Sequence, residues 1–302
     1  MSAAVRAALV YLVSWPLRLL DAIGAVYSSG LGVIRPTTYL WGDIRSQRAL
    51  TRTVRVSRQV AGSLVSLEFH APNSICQWRA KTFWEKEPET LAWIDAYGGS
   101  GALFDIGANV GLYSVYYAVT KPGRVYAFEP SVFNLAILAR NVHVNHVAKK
   151  IHIVPNPLSS ANGFADFAVQ SFEAGGALSA FGVAHGQDGK PLQPVMTYLT
   201  HGFTLDGLMD RGVLEPPALI KVDVDGIEHL ILKGGEKTLA RPDCRSVLIE
   251  VNEQFVELSS VVTDVLTAAG FKRHESEQAT AGNLSKSGNQ IWSKSPLVSG
   301  RD

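Results

Sequence analysis

From residue 102 the chain alternates short apolar runs with segments whose apolar positions recur at helical spacing. ALFDI (102–106) reads as a buried strand and is followed by the glycine turn GANVG. LYSVYYAVT (112–120) reads as a helix that ends at KPG. RVYAFEP (124–130) predicts the next strand, with Pro130 suited to the first turn of the helix after it. In that helix Val132, Leu135, Leu138 and Val142 recur at intervals of three, three and four, which predicts its buried face. IHIVPNPL (151–158) is a third strand, ALIKVDVDG (218–226) a fourth and SVLIEVN (246–252) a fifth. Between the last two, EHLILKGGEKTL is helical in pattern, with Gly234 and Gly235 weakening its middle or marking its end. SSVVTDVLTAAG (259–270) is a further helix and QIWSK (290–294) a late strand. The alternation predicts an α/β fold, a mostly parallel sheet with helices on both faces. Such sheets bind ligands at the carboxyl ends of their strands.

Two regions fall outside the alternation. Residues 36–101 mix the strand-like VRVSR and SLVSLEFH with the helical EPETLAWIDAYG. Residues 159–203 form a loop-rich insertion in which FADFAVQ, GALSAFG and VMTYL read as short strands, a natural place for substrate contacts. The expected organisation is therefore an apolar extension over 1–35, a mixed segment over 36–101, a main domain over 102–295 and a tail over 296–302.

AALVYLVSWPL (7–17) is apolar but, at 11 residues, short of the roughly 20 needed to span a bilayer. Leu19, Leu20, Ile23 and Val26 continue its apolar face at helical spacing. The segment reads either as a helix packed on its own domain or a partner, or as an interfacial membrane helix over 7–34. A secretory signal is the weaker reading, because only Arg6 precedes the apolar run. The 28 Lys and Arg balance 27 Asp and Glu, so no bulk charge argues for nucleic acid. Cys76 and Cys244 lie far apart, outside any CxxC, and read as reduced thiols. The expected location is the cytoplasm, peripheral at a membrane if the extension lies on one.

FDIGANVG places Asp105 at a strand end, with Gly107 and Gly111 in the turn before a helix. Glycines there let the backbone approach a ligand and adopt angles closed to other residues. The pattern G-x-G-x-x-G is absent, since Asn109 stands at its middle position. Asp105 and Asn109 offer a carboxylate and an amide instead of a phosphate cradle. That suits a cationic or zwitterionic ligand such as S-adenosylmethionine. Glu129, 18 residues beyond Gly111, ends the second strand, where a carboxylate can accept from both hydroxyls of a ribose. Dinucleotide enzymes use the same device, and a helix-start charge would also sit there.

FDIGANVGLYS, YAFEPS, TLDGL (204–208), IKVDVDGIEHLILKGG and LIEVN, in that order and spacing, resemble the FkbM-type family of S-adenosylmethionine-dependent methyltransferases. The resemblance runs over roughly residues 78–294, from WRAKTFWEKEPET to NQIWSK. It implies a class I methyltransferase (Rossmann-like) fold: a seven-stranded, mostly parallel sheet with one antiparallel strand near the end. It also implies methyl transfer, usually to a hydroxyl. By motif position Asp105, Gly107, Asn109 and Gly111 would flank the cofactor, Glu129 would hold its ribose, and Asn156 would lie at the adenine edge. Asp225 stands where the family more often has glutamate, in KVDVEG, and its reach is shorter.

Asp223 falls near the carboxyl end of the fourth strand, beside the reacting methyl group in this fold, and Glu250 and Asn252 close the fifth. Asp223 and Glu250 are candidate catalytic residues, as base or orienter of the acceptor. His201, ahead of TLDGL, is an alternative base. Asp223, Glu250 and Asn252 also form an all-oxygen set that suits Mg²⁺. Asp225 and Glu228 suit capping of the helix that starts at 227, and Asp206 suits a turn or cap. The leading expectation is an O-methyltransferase acting on a hydroxyl of a sugar, glycolipid or secondary metabolite. One alternative is an NAD(P)-dependent oxidoreductase, which calls for G-x-G-x-x-G after the first strand. The other is a non-catalytic relative docked at a membrane through 7–34, which predicts a damaged cofactor turn.

Overall fold

A computed structural model of the chain describes residues 51–183, 186, 191–274 and 288–294. The N-terminal extension with its expected membrane contact, and the tail, lie outside the described residues. No helix among the described residues is long and apolar enough to cross a membrane.

The hairpin of β1 (Thr53–Val60) and β2 (Ser63–His70) comes first, turned by Ala61 and Gly62 at positive φ. Two helices follow, α1 (Ser74–Lys81) and α2 (Pro88–Tyr97). The alternating part contains β3 (Ala102–Ile106), α3 (Leu112–Thr120), β4 (Val125–Phe128), α4 (Val132–Val144) and β5 (Ile151–Val154). The insertion folds as a small antiparallel sheet of β6 (Gly163–Val169), β7 (Ala180–Phe181) and β8 (Met196–Gly202). Then come α5 (Leu205–Asp210), β9 (Pro217–Val222), α6 (Glu228–Lys233), α7 (Glu236–Ala240) and β10 (Ser246–Val251). The chain closes with α8 (Val256–Ala268), β11 (Lys272–Arg273) and β12 (Gly288–Ser293).

Seven strands make the central sheet in the order β11-β12-β10-β9-β3-β4-β5. β10, β9, β3, β4 and β5 run parallel, and β12 is antiparallel to β10 and β11. The expected class I methyltransferase sheet is thus observed, with its antiparallel strand near the end. The strands are buried on both faces, as parallel strands covered by helices must be. Phe104, Ile106, Phe128, Ile220, Val222 and Ile249 pack toward α5–α8. Leu103, Val125, Leu219 and Leu248 pack toward α2–α4 and the hairpin. Alternation along β9 therefore puts Lys221 on the α3 side, next to Leu219, where it is 2% exposed. Strand order reverses direction between β3 and β9, so the crevice at this switch point is where the fold places a ligand.

Two local expectations change. Pro130 precedes the N-cap Ser131 and stays outside α4. Val132 is half exposed, and the buried face of α4 is made by Asn134, Ile137, Leu138, Asn141 and Val142. An apolar count misses that face because two of its members are asparagines with long-range partners. Asn141 Oδ1 accepts from the His70 N–H at 2.7 Å, and its Nδ2 donates to the Val110 carbonyl at 2.7 Å. Burying an amide is favourable only with such partners in place.

Candidate active site

At the carboxyl ends of β3, β4 and β9 a cleft holds about 560 Å³, its open mouth included. That is within the range of small-molecule sites. Phe128, Leu158, Phe167, Phe181, Ile227 and Ile231 give it apolar walls; Gly107, Asn109, Glu129, Asn156, Asp223 and Asp225 give it polar ones. Of the six residues expected to flank the cofactor, Gly107, Asn109, Glu129 and Asn156 line this cleft, and Asp105 and Gly111 do not.

Gly107 lies at φ +82, and a Cβ on it would come 1.8 Å from the Asp223 carbonyl oxygen. Glycine is required here because the end of β9 passes against the turn, in addition to any approach by a ligand. Gly111 (φ +79) caps α3 at its start and leaves room for Leu138, whose Cδ1 lies 2.2 Å from where its Cβ would be. Asn109 also adopts positive φ, a region asparagine tolerates. Its backbone N–H donates to Glu129 Oε2 at 2.8 Å and its Nδ2 to the Gly176 carbonyl at 2.8 Å. Glu129 Oε1 accepts from the Ser131 N–H at 2.8 Å. Burial pushes the Glu129 carboxyl up to about 7, against the pull of these donors. Asn156 lines the cleft and donates to the His201 carbonyl at 3.0 Å.

Asp105 does not line the cleft. It is 1% exposed, with Oδ2 accepting from Ser114 Oγ at 2.6 Å and Oδ1 lacking a hydrogen-bond partner among the described residues. Burial raises its carboxyl, and the nearby Lys221 acts in the opposite direction. The expectation that Asp105 offers its carboxylate to a ligand is corrected: it faces inward.

The acidic strand end is organised by Lys221. Its Nζ lies 2.6 Å from Asp223 Oδ2 and 5.2 Å from the centre of the Tyr113 ring. Burial acts to lower the ammonium, but Asp223, Glu87 and Asp105 together hold it above its ordinary value. For Asp223 burial acts upward, and Lys221, helped by a hydrogen bond with Glu250, brings the carboxyl below its usual range. Asp223 and Glu250 are thus brought together as expected, with Asp223 on the cleft. Asn252 instead shares a neighbouring small pocket with Glu250 and His229, and its Oδ1 accepts from the Gln254 N–H at 3.1 Å. The side chains do not suit the expected Mg²⁺ site. A lysine ammonium already occupies the cation position at Asp223, and the described residues contain no group of three or more Asp, Glu, His or Cys able to hold a metal.

His201 sits on β8, its ring 4.9 Å from Phe164 and 4.6 Å from Phe203, and is not among the residues lining the cleft. Glu228 accepts from the N–H groups of Val224 and Gly226 and steadies the loop ahead of α6. Asp206 accepts from the N–H groups of Lys237 and Thr238 and caps α7.

Asp225, at φ +63, accepts from the Leu178 N–H at 2.6 Å. That bond ties the insertion down beside the cleft. The same strap is held by Asn134, whose Oδ1 accepts from the Gly175 N–H, and by Arg79, whose Nε donates to the Gly175 carbonyl. Sequence reasoning missed Lys221, Asn134 and the strap; the one available signal was a lysine in an otherwise apolar strand.

These buried acids predict a pH dependence. Asp225 is pushed up to about 6, and Glu129 and Glu228 to about 7, in each case chiefly by burial. Acids with raised pKa values hold protons in the folded state that the unfolded chain has released. Stability from this source is greatest below pH ~4, near the unfolded carboxylate values, and is lost as pH rises toward about 7. The urea midpoint of the ligand-free protein is expected to be higher at pH 5.5 than at pH 8. A midpoint that is flat or rises across that window would contradict the assigned burial.

Sheet order, switch-point cleft and glycine turn define a class I methyltransferase (Rossmann-like) fold. The model of the methyltransferase FkbM domain matches residues 105–273, and the chain belongs to that family. A comparison with curated proteins gives no match. Among solved structures, the FkbM methyltransferase of Methylobacillus flagellatus is similar at 15% identity and TM-score 0.42, over 64% of this chain and 43% of that one. The chain thus spans less than half the length of that protein. The precorrin-6Y C5,15-methyltransferase of Geobacter metallireducens is 15% identical, with TM-score 0.40 over 69% of this chain and 85% of that one. Fibrillarin of Aeropyrum pernix, solved with S-adenosylmethionine, is 11% identical, with TM-score 0.43 over 79% of this chain and 82% of that one.

Proposed function

We propose that the chain methylates a hydroxyl of a sugar, glycolipid or secondary metabolite. The observation that carries this reading is Asp223, a carboxylate kept ionised by a buried lysine at the mouth of the switch-point cleft. S-adenosylmethionine suits the cleft chemically. Glu129 has two acceptor oxygens for ribose hydroxyls, and Phe167, Phe181, Leu158 and Ile231 offer an apolar slot for a flat base. Gly107, Asn109 and Gly111 shape the turn beside it, and Asn156 is among the residues that line the cleft.

When bound, this cofactor supplies a methyl group already activated by its sulfonium. The chain then has to align an alcohol and relieve it of a proton. Asp223 is held by Lys221 at Oδ2, and its carboxylate orients the hydroxyl and accepts its proton as the oxygen takes the methyl group. A base so positioned contributes about 10²–10⁴-fold. Glu250 steadies Asp223 from the side. His201, packed between two rings, has no part in this scheme.

The test is transfer of labelled methyl from S-adenosylmethionine to panels of sugars, glycolipids and hydroxylated metabolites. The expected product carries label that survives mild alkali, as an ether does, and Asp223→Asn lowers turnover by about 10²-fold or more. Label found only on nitrogen, or only as an alkali-labile ester, would overturn the hydroxyl assignment.

A further inference from the structure

Residues 171–179 link β6 to β7, and three of them, Gly176, Ala177 and Ser179, form one wall of the cleft. This strap belongs to no strand, so side chains from elsewhere have to meet its carbonyls. The Ala174 carbonyl accepts from Asn73 Nδ2 at 2.9 Å and from Cys76 Sγ at 3.3 Å. The Gly175 carbonyl accepts from Arg79 Nε at 2.8 Å. The Gly176 carbonyl accepts from Asn109 Nδ2 at 2.8 Å and, more distantly, from Asn134 Nδ2 at 3.4 Å. At the far end Leu178 donates its N–H to Asp225 Oδ2 at 2.6 Å. Leu178 lies at φ +66, an outlier for so bulky a residue. Its side chain is half exposed, so the tie to Asp225, rather than packing, holds it there.

The two asparagines that grip Gly176 also hold Glu129. Asn109 reaches the carboxylate through its backbone N–H at 2.8 Å, and Asn134 through its side-chain amide. Asn134 is buried, and its Oδ1 accepts from the Gly175 N–H at 2.8 Å. One buried amide thus touches the carboxylate on one side and two successive strap residues on the other. A ligand that hydrogen-bonds to Glu129 fixes that carboxylate, and with it the Asn134 amide. A fixed amide then orders Gly175 and Gly176 at lower entropic cost.

We propose that Asn134 is a positioning residue through which a ligand on Glu129 and the closed strap stabilise each other. The inference rests on the cofactor reading above. Such coupling is reciprocal: whatever the ligand adds to the strap, the strap adds to the ligand. Loosening the strap therefore shortens the ligand's stay.

The test is hydrogen–deuterium exchange of the whole chain with and without S-adenosylhomocysteine, together with the rate at which that ligand dissociates. In wild-type protein the ligand is expected to slow exchange at Gly175, Gly176 and Leu178 by about 10-fold, an ordinary coupling strength, and to leave β10 and β12 unchanged. In Asn134→Ala, at saturating ligand, that slowing should be lost and binding should weaken about 10-fold. Asp225→Ala leaves Asn134 and Glu129 in place and provides a second variant should the first fail to fold. It should speed exchange at Leu178 and raise the dissociation rate about 10-fold. Bound ligand that leaves the wild-type strap unchanged overturns the proposal. Equal slowing in wild type and Asn134→Ala also overturns it, because the ligand would then act on the strap by direct contact. So does faster strap exchange in Asp225→Ala with an unchanged dissociation rate. Protection lost equally from β10 and β12 in Asn134→Ala would make Asn134 a residue of the fold alone, and overturn it too. Wild-type protein that does not bind S-adenosylhomocysteine defeats the cofactor reading itself, and the proposal with it.

Discussion

Lys221→Met is expected to destabilise the ligand-free protein by about 3–5 kcal/mol, the usual cost of removing one partner from a buried ion pair. The lysine is 2% exposed and is surrounded by Asp223, Glu87 and Asp105. Methionine fills similar volume but leaves three carboxylates facing one another in a poorly solvated space. They would then take up protons, so the loss should be largest near pH 8 and shrink toward pH 5. Urea unfolding at both pH values measures this. Combining Lys221→Met with Asp223→Asn should restore part of the stability, because the two groups are in direct contact. A loss below about 1 kcal/mol at pH 8 would mean that Lys221 does not hold the cluster together.

Gly107→Ala is expected to be at least as damaging, for a steric reason. The new Cβ would meet the Asp223 carbonyl oxygen at 1.8 Å and its carbon at 2.8 Å, both backbone atoms that cannot rotate away. Either the glycine turn or the end of β9 has to move, and both shape the cleft. Gly62→Ala is the control. It has a similar φ of +81, but nothing lies within 4 Å of its Cβ, so it bears only the left-handed penalty of roughly 1–2 kcal/mol. Gly107→Ala should exceed that control by about 2 kcal/mol or more in urea unfolding, in the range of overpacked cores, and should lose S-adenosylhomocysteine binding. Equal costs at the two positions would show that the turn has slack.

The sheet was legible because its strands carry their burial in their composition. ALFDI and PALIKV are buried at every position, and the helices between them have apolar residues at helical spacing. Glycines marked the site turn for a physical reason that the sequence also carries, a backbone unable to accept a Cβ. What stayed hidden depends on partners remote in sequence. α1 reads poorly because SICQWRAK buries only Cys76 and Ala80. Asn134 and Asn141 look like surface residues until Gly175, His70 and Val110 are brought to them. Asp105 looks exposed at a strand end until Ser114 and Lys221 close over it. Asp225, which departs from the commoner glutamate, acquires a role only through Leu178, 47 residues upstream. Glu87 gave no sign of its place because Lys221 and Asp223, remote in sequence, face it from the end of β9.

The most direct test of the account is calorimetric titration of the full chain with S-adenosylhomocysteine, in EDTA and again with Mg²⁺, beside Glu129→Gln. The account predicts one site per chain, the same affinity with and without metal, and about 10- to 100-fold weaker binding when Glu129 loses its charge. Absence of binding, or a Glu129→Gln affinity equal to wild type, would contradict the placement of the cofactor in this cleft.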